Sequence, residues 1–167
     1  MKKNPNIVPE GLSIQSLTLR LFHDPDNVGL QHRLMEARLE RSMELGLIVS
    51  PEDAEVLYSY TWSLKANGYP QANMDAPAEF CTAAAGTKYC TTLNRLVLAR
   101  MLGCQPWEIS NGIHADHINE DLGVLNCTRD NIQALSISDN IKKGKDRKAK
   151  LNLVYAMLFD LPDGEVA

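Results

Sequence analysis

Three residue types suffice to hydrolyse a phosphodiester with the help of a metal. A carboxylate holds a hard cation, a neutral imidazole takes a proton from water, and a second oxygen ligand fixes the cation beside the phosphate. Asp116, His117 and Asn140 supply these types within one stretch of the 167-residue chain. The elements around them are legible from the residue pattern. A short strand ends in Asp116-His117, a polar, turn-rich loop runs through Asn126, a second strand covers 132–135, and a helix starts near Ser136 or Ser138. Side chains alternate across a strand, so adjacent Asp116 and His117 cannot share one face of a regular strand, and joint action requires them at its end. His114, two residues before Asp116, falls on the same strand face, where packing is favoured over phosphate contact. Taken singly, each of these residues has an ordinary role: Asp116 and Asn119 form turns, Asn140 decorates a helix, and His117 is a hydrogen-bonded, half-buried ring. The ordered set next to a basic run favours function.

That basic run is hidden by the average charge. The chain carries 17 Lys and Arg against 21 Asp and Glu, for a net charge of −4. Residues 142–150 alone read Lys-Lys-Gly-Lys-Asp-Arg-Lys-Ala-Lys, a local net of +5, which leaves −9 on the remainder. Local positive charge is what phosphate affinity needs, although dense cationic runs are often solvated helix faces.

The elements further upstream are also readable. Asp24-Pro25-Asp26-Asn27 offers capping side chains for a helix carrying Val28, Leu30, Leu34, Met35, Leu39 and Met43, which Gly46 stops. Residues 5–22 suit either a helix or a strand. From Leu47 the texture turns to short strands and turns: a strand at 47–49, a short helix after Ser50-Pro51, and a turn at Gly68-Tyr69-Pro70. A hairpin is expected with 79–83 opposite 88–92, bringing Cys81 near Cys90. An amphipathic helix over 93–102 is expected to turn Leu93, Leu96, Val97 and Met101 inward, closed by Gly103. Trp62 and Trp107 read as core and rim aromatics. The composition, 44% hydrophobic and 23% charged, is globular. It contains no apolar run long enough to span a bilayer, and a cytoplasmic protein follows by default. Cys81, Cys90, Cys104 and Cys127 show no paired spacing, so reduced thiols are expected. The same lack of paired spacing among His114, His117, Cys104 and Cys127 means that structural zinc is not expected.

The stretch 113–143 resembles the HNH, or ββα-metal, nuclease motif, in the H-N-N variant found in phage and intron-encoded homing endonucleases. The residues that carry the likeness are Asp116-His117-Ile118-Asn119, Asn126, Arg129-Asp130-Asn131-Ile132 and Ser138-Asp139-Asn140. Weaker signposts upstream are Ser50-Pro51-Glu52-Asp53, Tyr60-Thr61-Trp62 and Gly68-Tyr69. Two positions depart from the family: Asn94-Arg95 stands where His-Arg is usual, and Gln133 where Arg is common. The resemblance implies an α+β fold, with an N-terminal helical extension (1–46), a small mixed nuclease module ending in the ββα motif (47–145) and a C-terminal helical tail (146–167). It implies that His117 is the general base, that Asp116 and Asn140 hold one Mg²⁺ or Mn²⁺, and that Asn131 bridges the loop backbone and pins the imidazole. With the basic run, it puts Arg95, Arg129, Lys142, Lys143 and Lys145 at nucleic-acid phosphates. The function expected is a metal-dependent DNA endonuclease of homing or phage-packaging type, acting in a bacterial host if phage-encoded. The partner is DNA, and a homodimer is compatible with it. The alternatives are a DNA-binding module that does not cut and an RNA-cleaving nuclease.

Overall fold

The computed structural model describes residues 11–81 and 88–159, with side chains as far as Tyr155. Its architecture is mixed α and β, consistent with α+β. The stretch left open between helix and strand is a helix, α1 (Ile14–His23), whose first turn is capped by the Ser13 side chain accepting from the Ser16 N–H. Asn27 caps α2 (Val28–Glu44) in the same way, accepting from Leu30 N at 3.0 Å. Gly46 ends the helical segment at φ +72°, a left-handed conformation that suits glycine. Of the apolar set carried by α2, only Leu30 and Leu34 are buried, and they form a small separate core with Leu17 of α1. Val28, Met35, Leu39 and Met43 are exposed. The helix is instead fastened to the rest of the fold by polar contacts: Ser42 Oγ donates to Leu57 O at 2.7 Å, and Arg38 donates to Ser59 O and Thr61 Oγ1.

The main core surrounds α4 (Leu93–Leu102), where Leu93, Val97 and Ala99 are fully buried. Leu96 and Leu98 join them, while Met101, expected inward, lies toward solvent; Gly103 closes the helix at φ +69°. Trp62 is a core aromatic, with its Nε1–H donating to Val56 O at 2.9 Å, and Trp107 packs at the core's edge. The strand β1 (Ile48–Val49) and the short helix α3 (Val56–Ser59) precede a three-stranded antiparallel sheet. Its strands are β2 (Ser63–Leu64), β3 (Pro70–Asp75) and β4 (Lys88–Thr92). The partner of β4 is thus 70–75 and not 79–83, and Asn73, not Cys81, stands opposite Cys90. The reason is amphipathic fit. Ala72 and Met74 alternate inward along β3, and Pro70 sits at the strand's first position, where its missing N–H is tolerated. Residues 78–80 form a single 3₁₀ turn, and 82–83 of the expected strand lie outside the described residues.

The last elements are β5 (Ile113–His117), β6 (Asn126–Cys127), β7 (Ile132–Ser136) and α5 (Ile137–Phe159). β5 pairs antiparallel with β7, β6 pairs parallel with β1, and α5 follows β7 directly. The expected β-loop-β-α order is present, and α5 continues without a break across the boundary expected at 145/146. No described helix is long and apolar enough to cross a membrane.

Candidate functional site

The register of β5 against β7 decides which side chains meet. His114 stands opposite Leu135, Asp116 opposite Gln133, and His117 opposite Ile132. Regular pairing runs through His117, and Ile118 N continues it by donating to Asn131 O at 2.8 Å. Alternation therefore holds to the last residue of the strand. His114 and Asp116 face one way, and His117 faces the other.

The first face opens on a cleft of about 540 Å³ whose walls include His114, Asp116, Asn140, Asn94, Lys65 and Tyr69. Its polar groups are interlocked. The Asn140 amide lies 2.8 Å from His114 Nδ1, and either ring tautomer can be served because the two ends of the amide exchange by a flip. Asp116 Oδ2 accepts from Gln133 Nε2 at 2.9 Å and from Lys143 Nζ at 2.7 Å. Gln133, which departs from the family's usual Arg, thus fixes the Asp116 carboxylate. Asn94, the other departure, is buried and donates to Ala115 O at 2.6 Å; its Oδ1 is a buried acceptor with no hydrogen-bond partner among the described residues.

His117 turns into the protein and is only 2% exposed. Its Nε2 lies 3.6 Å from Cys127 Sγ, and its ring is tilted against Tyr69 at 5.8 Å. Burial lowers its pKa below the ordinary imidazole value, with Asp116 opposing the shift and Lys143 adding to it, so the ring is neutral at pH 7. Burial also pushes the Cys127 thiol up to about 12, which keeps it protonated beside that imidazole. Asn131 is 3% exposed and closes the loop: its Oδ1 accepts from Asn119 N at 2.8 Å, and its Nδ2 donates to Asn126 O at 3.0 Å. It holds the chain just beyond His117 through the backbone, and among the described residues its side-chain hydrogen bonds go to main-chain atoms and not to the imidazole.

The basic residues expected at phosphates divide into two groups. Arg95 directs its guanidinium at three main-chain carbonyls, Pro106 O at 2.9 Å, Ile109 O at 2.5 Å and Ile113 O at 3.3 Å, and so ties the 106–113 loop to α4. Arg129 forms a bidentate pair with the fully buried Asp53 at 2.8 and 2.9 Å. Lys143 is bound to Asp116, Glu120 and the main-chain oxygen of His117. These three serve contacts within the fold. Lys142 and Lys145 are exposed on α5, as are Lys148 and Lys150. A second cleft, of about 570 Å³, lies between α5 and the loop after β5, with Lys142, Lys150 and Arg147 on its walls.

Several roles escaped the sequence. Asp53 was visible only as a signpost, and its two arginine partners come from distant elements. Lys143 was visible as one cation in a run, although its i,i+3 spacing from Asn140 marks a shared helix face. Among the described residues, no group of three or more His, Cys, Asp and Glu is placed to hold a metal. Asp116 and Asn140 nonetheless bring a carboxylate and an amide to the cleft, oxygen donors suited to Mg²⁺ or Mn²⁺, with the His114 imidazole and the Glu120 carboxylate also on its walls. Asp116 already holds a cation, the Lys143 ammonium, so the carboxylate fits a positive group at that point. No family model matches the sequence, and no curated protein or solved structure matches it either.

Proposed function

We propose that the chain is a metal-dependent DNA endonuclease of the HNH type. The observation that carries the reading is the meeting of Asp116 from β5 and Asn140 from α5 at one polar cleft, beneath a helix whose exposed face is cationic. Asp116 and Asn140 would hold one divalent cation, which when bound supplies Lewis-acid stabilisation of charge on the phosphate and the leaving oxygen. The base would be His117, neutral at pH 7; its ring turns inward from the cleft, so taking the proton from the attacking water requires the end of β5 to open toward the cation. Asn131 holds the loop that follows His117, and Gln133 orients Asp116. Incubation of supercoiled plasmid with the protein, with Mg²⁺, with Mn²⁺ and with chelator, tests the reading: metal-dependent nicking or linearisation is expected. Binding of the plasmid without cutting under any metal would replace it with the DNA-binding module, and cleavage confined to RNA with the RNA nuclease.

Loss of either metal-holding side chain has a distinct signature. Asp116→Ala and Asn140→Ala are each expected to raise the metal concentration needed for half-maximal cleavage. Excess metal should rescue Asn140→Ala better, because it loses a neutral ligand and keeps the charged one. Unchanged metal dependence in both variants, measured by kinetic titration, would remove them from the cation.

The α5 lysines answer to salt. Each lysine that neutralises one duplex phosphate contributes about 0.9 to the slope of log affinity against log salt. Lys142, Lys145 and Lys148 are exposed at i, i+3 and i+6 on α5. Changing all three to Gln is expected to flatten the slope by up to about 2.7, with similar weakening on all sequences, since phosphate contacts position without specifying. A slope equal to the parent's in binding isotherms at several salt concentrations would show that this face does not touch DNA. Lys143, held inside the fold, is left out of the set.

A further inference from the structure

The Lys143 ammonium is saturated by oxygens at the edge of the cleft. Its ammonium lies 2.7 Å from Asp116 Oδ2 and 3.3 Å from Glu120 Oε1, and donates to His117 O. Three donors thus meet three oxygens. The Asp116 side chain is only 9% exposed, so water cannot replace a lost counter-charge fully, and a bare carboxylate there is costly. Asn140 and Lys143 are three residues apart on α5, one face of the helix, and both reach back to β5. The helix thereby brings an amide oxygen donor and a competing cation to the same strand.

We propose that Lys143 is a positioning residue that holds the Asp116 carboxylate in place and competes with a divalent cation for it. The inference rests on the reading of Asp116 as a metal-holding group. A doubly charged ion at Asp116 and the ammonium at its present position would be like charges on one carboxylate, so binding of the first displaces the second. Displacement has somewhere to go. Lys143 also lines the second cleft, and Glu120 borders both clefts while remaining paired with Arg147. The loop acid therefore keeps a counter-charge after Lys143 leaves. Two consequences follow: the metal-free protein keeps Asp116 ordered, and its affinity for divalent ions is lower than the same ligands would give without the lysine.

Direct Mn²⁺ titration without nucleic acid, read by electron paramagnetic resonance of the free ion, tests this. Lys143→Met and Lys143→Gln are expected to bind Mn²⁺ about 10-fold tighter or more, because one cation in contact with a carboxylate shifts its affinity for positive charge by a factor of about ten or more. Lys143→Arg, which keeps the competitor, is expected to stay within a few-fold of the parent. In the parent itself, acylation of Lys143 by an amine reagent, read by peptide mass, is expected to rise several-fold at saturating Mn²⁺, and this measurement decides the matter if the neutral variants fail to fold. Equal or weaker Mn²⁺ binding in folded Met and Gln variants overturns the proposal, as does unchanged Lys143 acylation. If the parent binds Mn²⁺ and cleaves while the variants bind it no better, only this inference falls. If neither parent nor variants bind Mn²⁺, the metal reading falls with it.

Discussion

Cleavage by His117→Ala at saturating divalent cation is expected to fall by about 10²–10⁴, the usual contribution of a general base. Duplex affinity should stay within a few-fold of the parent, because the base acts on water and makes no obligatory contact with bound DNA. The ring is buried against Tyr69 and Cys127, so alanine also leaves a void; His117→Gln keeps most of the volume, and melting curves of both variants separate lost chemistry from lost fold. The pH profile gives an independent reading. Burial lowers the His117 pKa, so the base is neutral through the ordinary imidazole value near 6.5 and the parent rate is expected to decline only below it. Stability follows the same sign. The unfolded chain binds the proton first on acidification, so His117 costs stability as the pH falls from about 6.5 to its folded value, and nothing further below that. Parental cleavage by a folded His117→Gln would dismiss His117 as the base. His114 would then be the imidazole to test, since it shares the cleft with Asp116 and Asn140.

How far residues alone could anticipate this arrangement varies with the range of the interactions involved. The α2 cap, the stop at Gly46 and the β-loop-β-α order are local events, set by side chains within a few residues of the backbone they satisfy, and all three stand in the structure. The hairpin partner was misread because 79–83 and 70–75 both precede β4 at hairpin distance. What separates them is the inward Ala72 and Met74, which have meaning only against the core that α4 provides. Period-2 alternation opposes joint action of Asp116 and His117. Pairing that continues through His117 keeps the obstacle in force. The arginines were the least legible. A guanidinium satisfied by three carbonyls or by a buried carboxylate looks, in sequence, the same as one waiting for a phosphate.

Asp53 is where that difference has its largest consequence for stability. Its carboxylate is fully buried and accepts from Arg129 Nε and Nη2 at 2.8 and 2.9 Å and from Arg100 Nε at 2.7 Å. It joins the turn after β1 to α4 and to the 3₁₀ turn at Arg129–Asn131, whose last residue closes the loop after His117. Removing one partner of a buried ion pair costs about 3–5 kcal/mol. Both guanidiniums are about one-third exposed and can recover water, which places Asp53→Ala near the low end, at about 3 kcal/mol. For a domain of this size, that lowers the melting temperature by roughly 6–12 °C. Hydrogen bonds from Arg129 lead the lowering of the Asp53 pKa; burial opposes it, and bonds from Arg100 add to it. The linked stability is present above the unfolded carboxyl value near 3.9 and is lost as the pH falls from there through the lower folded pKa. Asp53→Asn should therefore flatten the acid limb of the stability curve below about pH 4 and weaken the fold at neutral pH. Denaturant melts of Asp53→Asn from pH 2 to 7 that superimpose on the parent's would show that the arginine pair does not hold the turn. Melts that differ by the same amount at every pH would assign Asp53 to packing and not to charge.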